Sequence, residues 1–122
     1  AARGLLGFGK NMKESLKQMV IPHTMIYESL GMADRLIATG DTSLAAETKM
    51  LISTSKYTTC EMAIDVAKQC VWLHGGLGIV EETGISRYLR DAQTLSIADG
   101  TPDLHIESVA FLLGMPGSQL TI

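Results

Sequence analysis

Aromatic residues are scarce: two Phe, three Tyr and one Trp make up 5% of the 122 residues. Sheets build their cores from aromatic and β-branched side chains. The shortage, beside seven methionines and 46% hydrophobic residues, therefore favours helices packed through an aliphatic, sulfur-rich core. Cysteine is nearly absent too. Cys60 and Cys70 fall ten apart in one expected helix, hence about 15 Å apart along its axis, beyond the reach of a disulfide. Both are expected to be free thiols, as in a reducing compartment. Positive charge is not in excess: the formal net charge is −3, with both signs interspersed. That removes the basic footprint of a nucleic-acid binder and the polybasic arm of a lipid-surface protein. No apolar run approaches the roughly 18 residues of a membrane span, and Ala1–Lys10 lacks the core of a signal peptide. His23, His74 and His105 are scattered without metal-ligand spacing, so no metal is expected, and no Ser/His/Asp arrangement is visible. The expectation is a single soluble intracellular domain, 1–122, with its ordered core at about 10–115. A chain of this length buries roughly two thirds of its unfolded surface without a staple.

What is present is helical pattern with punctuation. Ala1–Gly9, with three glycines and no start methionine, reads as a cut end. Lys10–Val20 places Met12, Leu16 and Met19 on one face, and Pro22 marks a boundary before a second helix to Ala38. Ile26, Leu30, Ala33 and Ile37 form that helix's expected core stripe. Gly40 caps it, and Asp41 or Thr42 opens the next. From Ser43 to Leu73 nothing interrupts the pattern, which predicts one long helix of roughly 45 Å. It bears two nearly opposite apolar stripes, one through Leu51, Met62 and Val66, the other through Tyr57, Cys60, Ile64 and Ala67. A helix buried on two sides needs two partners, so a neighbouring domain or subunit is expected. Glu61, Asp65 and Lys68 form a surface charge ladder.

Beyond His74, Gly75-Gly76 ends the helix. A short helix over Ile85–Leu95 turns Ile85, Tyr88, Leu89, Ala92 and Leu95 inward, and Arg87 pairs with Asp91. Thr101-Pro102-Asp103 is a strong helix start, with Ile106, Val109, Ala110 and Leu113 inward and Gly114 and Pro116 as the stop. The tail Gly117–Ile122 is expected to fray. The economical architecture is all-α: an up-and-down four-helix bundle with one long central helix and a short extra helix.

Taken singly, Gly75-Gly76-Leu77-Gly78 is a helix-ending turn or a loop whose backbone approaches a ligand, and it lacks the strand and Lys of nucleotide motifs. Asp99-Gly100-Thr101 is a turn and a cap. Together and in order, HGGLG, RYLRDA, IADGT and LHIESVAFLL, within Ala45–Met115, resemble the C-terminal α-domain of the acyl-CoA dehydrogenase family, with Phe8-Gly9-Lys10 as a weaker extension. The resemblance implies an FAD-dependent oxidoreductase that introduces an α,β double bond into an acyl-CoA thioester, of which this chain is the last third. It implies that Asp99 is the catalytic base, that Gly100 lies against the substrate thioester, and that Trp72, Gly75, Gly76, Thr101 and Asp103 contact FAD, partly that of a neighbouring subunit. It also implies a homotetramer or dimer formed through the helical domain, an electron-transfer acceptor, and a location in bacterial cytoplasm or the mitochondrial matrix. Two departures stand out: Trp72 replaces the usual Gln, and Asp99 the usual Glu, one methylene shorter, which favours a rigid or branched acyl group. The isolated chain is expected to be inactive, since much of the site belongs to a missing middle domain. The alternative reading is a non-catalytic helical interaction or oligomerisation module, or a degenerate subunit, in which Asp99 only caps a turn.

Overall fold

The computed structural model describes residues 2–119, with side chains from Gly9 onward. It holds four α-helices: α1, Ala2–Thr39; α2, Ala45–Leu73; α3, Ile85–Ile97; and α4, Pro102–Leu112. Short 3-10 turns cover Thr42–Leu44, Gly75–Gly78 and Glu81–Thr83. No strand occurs among the described residues, and the all-α expectation holds. Residue 1 and the end of the tail, 120–122, lie outside the described residues.

The long central helix is found as read. No Gly or Pro interrupts α2, and it passes Tyr57 without a break. At its end His74 is the last right-handed residue and Gly75 turns left-handed at φ 56°, a conformation open to glycine at no steric cost. Ahead of α2, at the 3-10 turn Thr42–Leu44, the Asp41 carboxylate accepts from the Ser43 N–H at 2.9 Å; hydrogen bonding from Ser43, its side chain first and then this N–H, pulls that carboxyl below its ordinary pKa.

The expected boundary at Pro22 is wrong, and so is the non-helical start: α1 runs from Ala2 through Pro22 as one helix. Proline inside a helix forfeits the hydrogen bond to the carbonyl four residues back, here Gln18, and usually kinks or ends it. Both halves of α1 are nevertheless tied to α2. On one side of Pro22, Ser15 Oγ donates to Gln69 at 2.6 Å and Gln69 donates to Gln18 at 3.3 Å. On the other, Ser55 Oγ donates to the Met25 carbonyl at 3.1 Å. These pairs place α1 antiparallel to α2. Across another side, Cys60 Sγ lies 3.8 Å from the Leu95 carbonyl and Lys56 Nζ donates to the Ala98 carbonyl, so α3 is antiparallel to α2 as well. Both cysteines are free thiols, as expected. Helices α1, α3 and α4 each pack on α2 and little on one another. The expected closed up-and-down order of four is therefore not established; what is found is a hub with three neighbours.

Small residues make those contacts. The buried positions among the described residues are Pro22, Ala67, Gly78 and Ala92 together with Ser29, Thr48, Ser53, Ser55, Ser96, His105 and Ser108. This corrects three inward faces. In α1 the inward line is Pro22, Met25, Ser29, Ala33 and Leu36, one residue off the expected stripe, and Ile37 is 82% exposed. Met12, Leu16 and Met19 are also outside. In α3, Ile85, Leu89, Ala92 and Ser96 turn inward while Tyr88 and Leu95 are exposed; in α4, His105, Ser108 and Leu112 replace Ile106 and Leu113. Glu61, Asp65 and Lys68 do lie on the exposed face of α2, although no ion pair joins them among the described residues.

The accessible surface is 8563 Å², whereas a compact 13.1 kDa monomer shows about 6,400 Å². Large apolar side chains supply much of the excess. No helix among the described residues is long and apolar enough to cross a membrane.

Ser108 is fully buried and its hydroxyl has no partner. Ser108→Ala is expected to stabilise the chain by about 1 kcal/mol, because an unsatisfied buried hydroxyl costs roughly 1–3 kcal/mol. Ser108→Leu is expected to destabilise it by about 1–3 kcal/mol through overpacking. Urea denaturation of both variants checks the two signs.

Candidate functional site

The expected site residues fall into two groups. The first lies where α2 ends. Trp72 is 81% exposed and borders two shallow cavities, one of about 370 Å³ with Asn11, Glu14, Gln69 and Leu73, the other of about 280 Å³ with Asp65, Lys68 and Gln69. His74 Nδ1 lies 2.8 Å from the Cys70 carbonyl. Gly75 and Gly76 are exposed, and a methyl group on either would meet nothing within 4 Å. Their backbone is free for a ligand to approach.

Gly78 is the glycine that packing requires. It is buried, and a Cβ there would sit 2.3 Å from the Val71 carbonyl oxygen. The chain beyond it is pinned by Thr83 Oγ1, which donates to the Leu77 and Val80 carbonyls at 2.7 and 2.8 Å, and by an ion pair of Arg90 with Glu81. Arg87 and Asp91 pair at 3.6 Å across one turn, as the spacing suggested.

The second group is the turn between α3 and α4. Helix α3 closes with the Ala98 N–H on the Thr94 carbonyl at 3.0 Å, and Ala98 is already extended at φ −61°, ψ 137°. Asp99 then takes φ 59°, alone among the described non-glycine residues in being left-handed, and Gly100 follows at φ 107°. Thr101 occupies the N-cap with extended backbone, Pro102 is at the first helical position, and the exposed Asp103 is in the first turn. The start of α4 is as read except that the Thr101 side chain makes no capping hydrogen bond.

Asp99 is exposed and borders a cavity of about 330 Å³. Leu36, Ala45 and Ile52 give it apolar walls; Thr48, Lys49, Ser53 and His105 give it polar ones. His105 packs beneath the turn: its Nε2 would lie 3.0 Å from a Cβ on Gly100. The ring is 7% exposed and neither nitrogen has a hydrogen-bond partner. The sequence reading passed over His105, Thr48 and Lys56. Only the position of His105, in the first turn of α4, is a sequence signal for its place under the loop.

The two groups are not one pocket. Lys56 reaches the turn of Asp99, and Trp72 lies sixteen residues further along the same helix, roughly 25 Å at about 1.5 Å per residue. Among the described residues no cluster of His, Cys, Asp or Glu could hold a metal ion.

The profile described as "Acyl-CoA dehydrogenase, C-terminal domain" matches residues 8–113. The chain belongs to this family. It is 42% identical over 53 residues to 3-methylmercaptopropionyl-CoA dehydrogenase of Ruegeria pomeroyi, covering 43% of this chain and 9% of that protein. It is 38% identical over 50 residues to a probable acyl-CoA dehydrogenase of Bacillus subtilis, covering 41% and 13%. It is 31% identical over 93 residues to the human mitochondrial very long-chain specific acyl-CoA dehydrogenase, covering 76% and 14%. The chain thus spans only a small part of each relative. No solved structure matches it.

Two measurements check the loop. Gly78→Ala is expected to lower the melting temperature by several degrees, since the new methyl displaces backbone, and Gly76→Ala to change it little. The hydrogen bond from Arg90, and then its charge, hold the Glu81 carboxyl below its ordinary range, and Arg90 is raised in turn. The pair therefore adds stability above the usual Glu pKa and loses it as pH falls through the lowered value. Carboxyl NMR titration is expected to show the Glu81 midpoint moving up in Arg90→Gln.

Proposed function

We propose that this chain is the C-terminal helical domain, one domain over 1–122, of an FAD-dependent acyl-CoA dehydrogenase in which Asp99 removes the α-proton of an acyl-CoA thioester. The family match over residues 8–113, with a carboxylate on an exposed turn bordering a cavity, carries this reading. A general base must approach its proton's carbon closely, and Asp99 is exposed at the edge of that cavity. Gly100, half-buried beside it with the His105 ring on one side, would lie against the thioester.

The open backbone of Gly75 and Gly76 and the exposed ring of Trp72 suit a large planar, phosphate-bearing group. Those three residues would hold FAD at the end of α2, and Thr101 and Asp103 would stand near a flavin beside Asp99. Bound FAD supplies the two-electron acceptor for the hydride that leaves the β-carbon. The separation of roughly 25 Å along α2 supports two different FAD sites, one shared with a neighbouring subunit, and hence a homodimer or homotetramer. The uncovered apolar faces of α1, α3 and α4 fit that assembly and the rest of the subunit. Reoxidation of the flavin would fall to a separate electron-transfer acceptor, and bacterial cytoplasm or the mitochondrial matrix suits such a partner.

Asp99→Asn keeps the shape and removes the base. In the complete protein it is expected to leave flavin content unchanged and to lower turnover by about 10²–10⁴-fold, the usual worth of a general base. Full turnover in that variant places the base elsewhere. A complete, folded protein that takes up no FAD rejects the enzyme in favour of a helical interaction module.

A further inference from the structure

We propose that Lys56 is a positioning residue for Asp99; this rests on the reading of Asp99 as the base. Asp99 and Gly100 hold two successive left-handed conformations, φ 59° and 107°. Ala98 is extended and Asp99 left-handed, the dihedrals of a type II turn, whose second central residue is normally glycine; another residue there is held by its surroundings. Two side chains hold it, one at the residue before Asp99 and one at the residue after. From the middle of α2, Lys56 Nζ donates to the carbonyl of Ala98, the residue before Asp99. From the first turn of α4, the buried His105 ring fills the space beside Gly100, the residue after it. The lysine supplies the stronger hold, because a hydrogen bond from a cation is roughly twice as strong as a neutral one. Lys56 has no carboxylate within 4 Å among the described residues, so its ammonium is spent on that carbonyl. Lys49 also borders the Asp99 cavity but makes no hydrogen bond to the turn among the described residues.

In the complete flavoprotein, Lys56→Met keeps the length of the side chain and removes the donor. It is expected to leave flavin content and the KM for acyl-CoA unchanged and to lower kcat about tenfold to a hundredfold, the cost of a misplacement of roughly 1 Å at the reacting group. Lys56→Arg, which retains a cationic donor, is expected to recover most of that loss. Adding Lys56→Met to Asp99→Asn is expected to cost nothing further, because a residue that acts through Asp99 has no role once the base is gone. Wild-type kcat in Lys56→Met overturns the proposal, and so does an equal loss in the Asp99→Asn background. An active Asp99→Asn instead overturns the reading of the base, and an inactive Asp99→Asn beside a fully active Lys56→Met overturns the lysine's role alone. If Lys56→Met does not fold, a crystal structure of the complete wild-type protein decides. Lys56 Nζ further than about 3.5 Å from the Ala98 carbonyl overturns the proposal, and Nζ within that distance supports it.

Discussion

Close approach to α2 is the constraint on which the other helices depend. Helices meet at 8–10 Å between axes, and the side chains at the contact set where in that range they fall. Here the contact positions are Ser53, Ser55 and Ala67 on α2, Ser29 on α1, Ala92 and Ser96 on α3 and Ser108 on α4. Serine hydroxyls at such positions need acceptors, and several find them in backbone carbonyls: Ser29 Oγ in Ile26, Ser55 Oγ in Met25, Ser96 Oγ in Gln93. Short bonds of this kind let polar residues lie inside without an apolar partner. The bond from Ser55 also ties α2 to α1.

The same choice leaves the large apolar side chains outside. Leu16, Val20, Ile21 and Leu30 on α1, Leu95 and Ile97 on α3 and Ile106 on α4 are exposed. Scattered apolar residues on a surface are ordinary, but contiguous ones mark an interface. The matched stretches cover 9–14% of the relatives just described, and on the function proposed above the rest of the subunit and its neighbour would meet these faces. The hydrophobic term that stabilises this domain is therefore shared with whatever covers it, and its stability alone understates its stability in place.

How far the sequence could be read follows from this packing. The existence and extent of α2, the glycine stop at Gly75, the exposed face of α2 and the Pro102 start were legible because they depend on local propensity and capping. The inward faces were not, since reading them assumes that apolar means inside. Ser29 took the place expected of Ile26, and His105 and Ser108 that of Ile106, because the fold buries small or hydrogen-bonded groups. Proline in α1 misled for a related reason: the local cost at Pro22 was visible, whereas the ties from Ser15, Gln18 and Met25 to α2 were tertiary. Within the candidate site, the order of motifs marked Asp99 and Gly75, but Lys56 looked like any solvated charge. Its partner lies 42 residues away, and no spacing rule reaches that far.

The conformation of Asp99 bears on why an Asp stands there at all. A left-handed residue other than glycine costs roughly 1–2 kcal/mol, and Asp and Asn bear it best because a short polar side chain bonds locally. Glutamate, with its longer arm, has no such preference. At φ 59° the shorter carboxylate is thus the one the backbone favours. On the reading of Asp99 as the base, reach and backbone conformation are then a single choice. Strain concentrated at one exposed carboxylate, with an ammonium on one side and a buried imidazole on the other, is the pattern expected of a group whose position matters more than its stability.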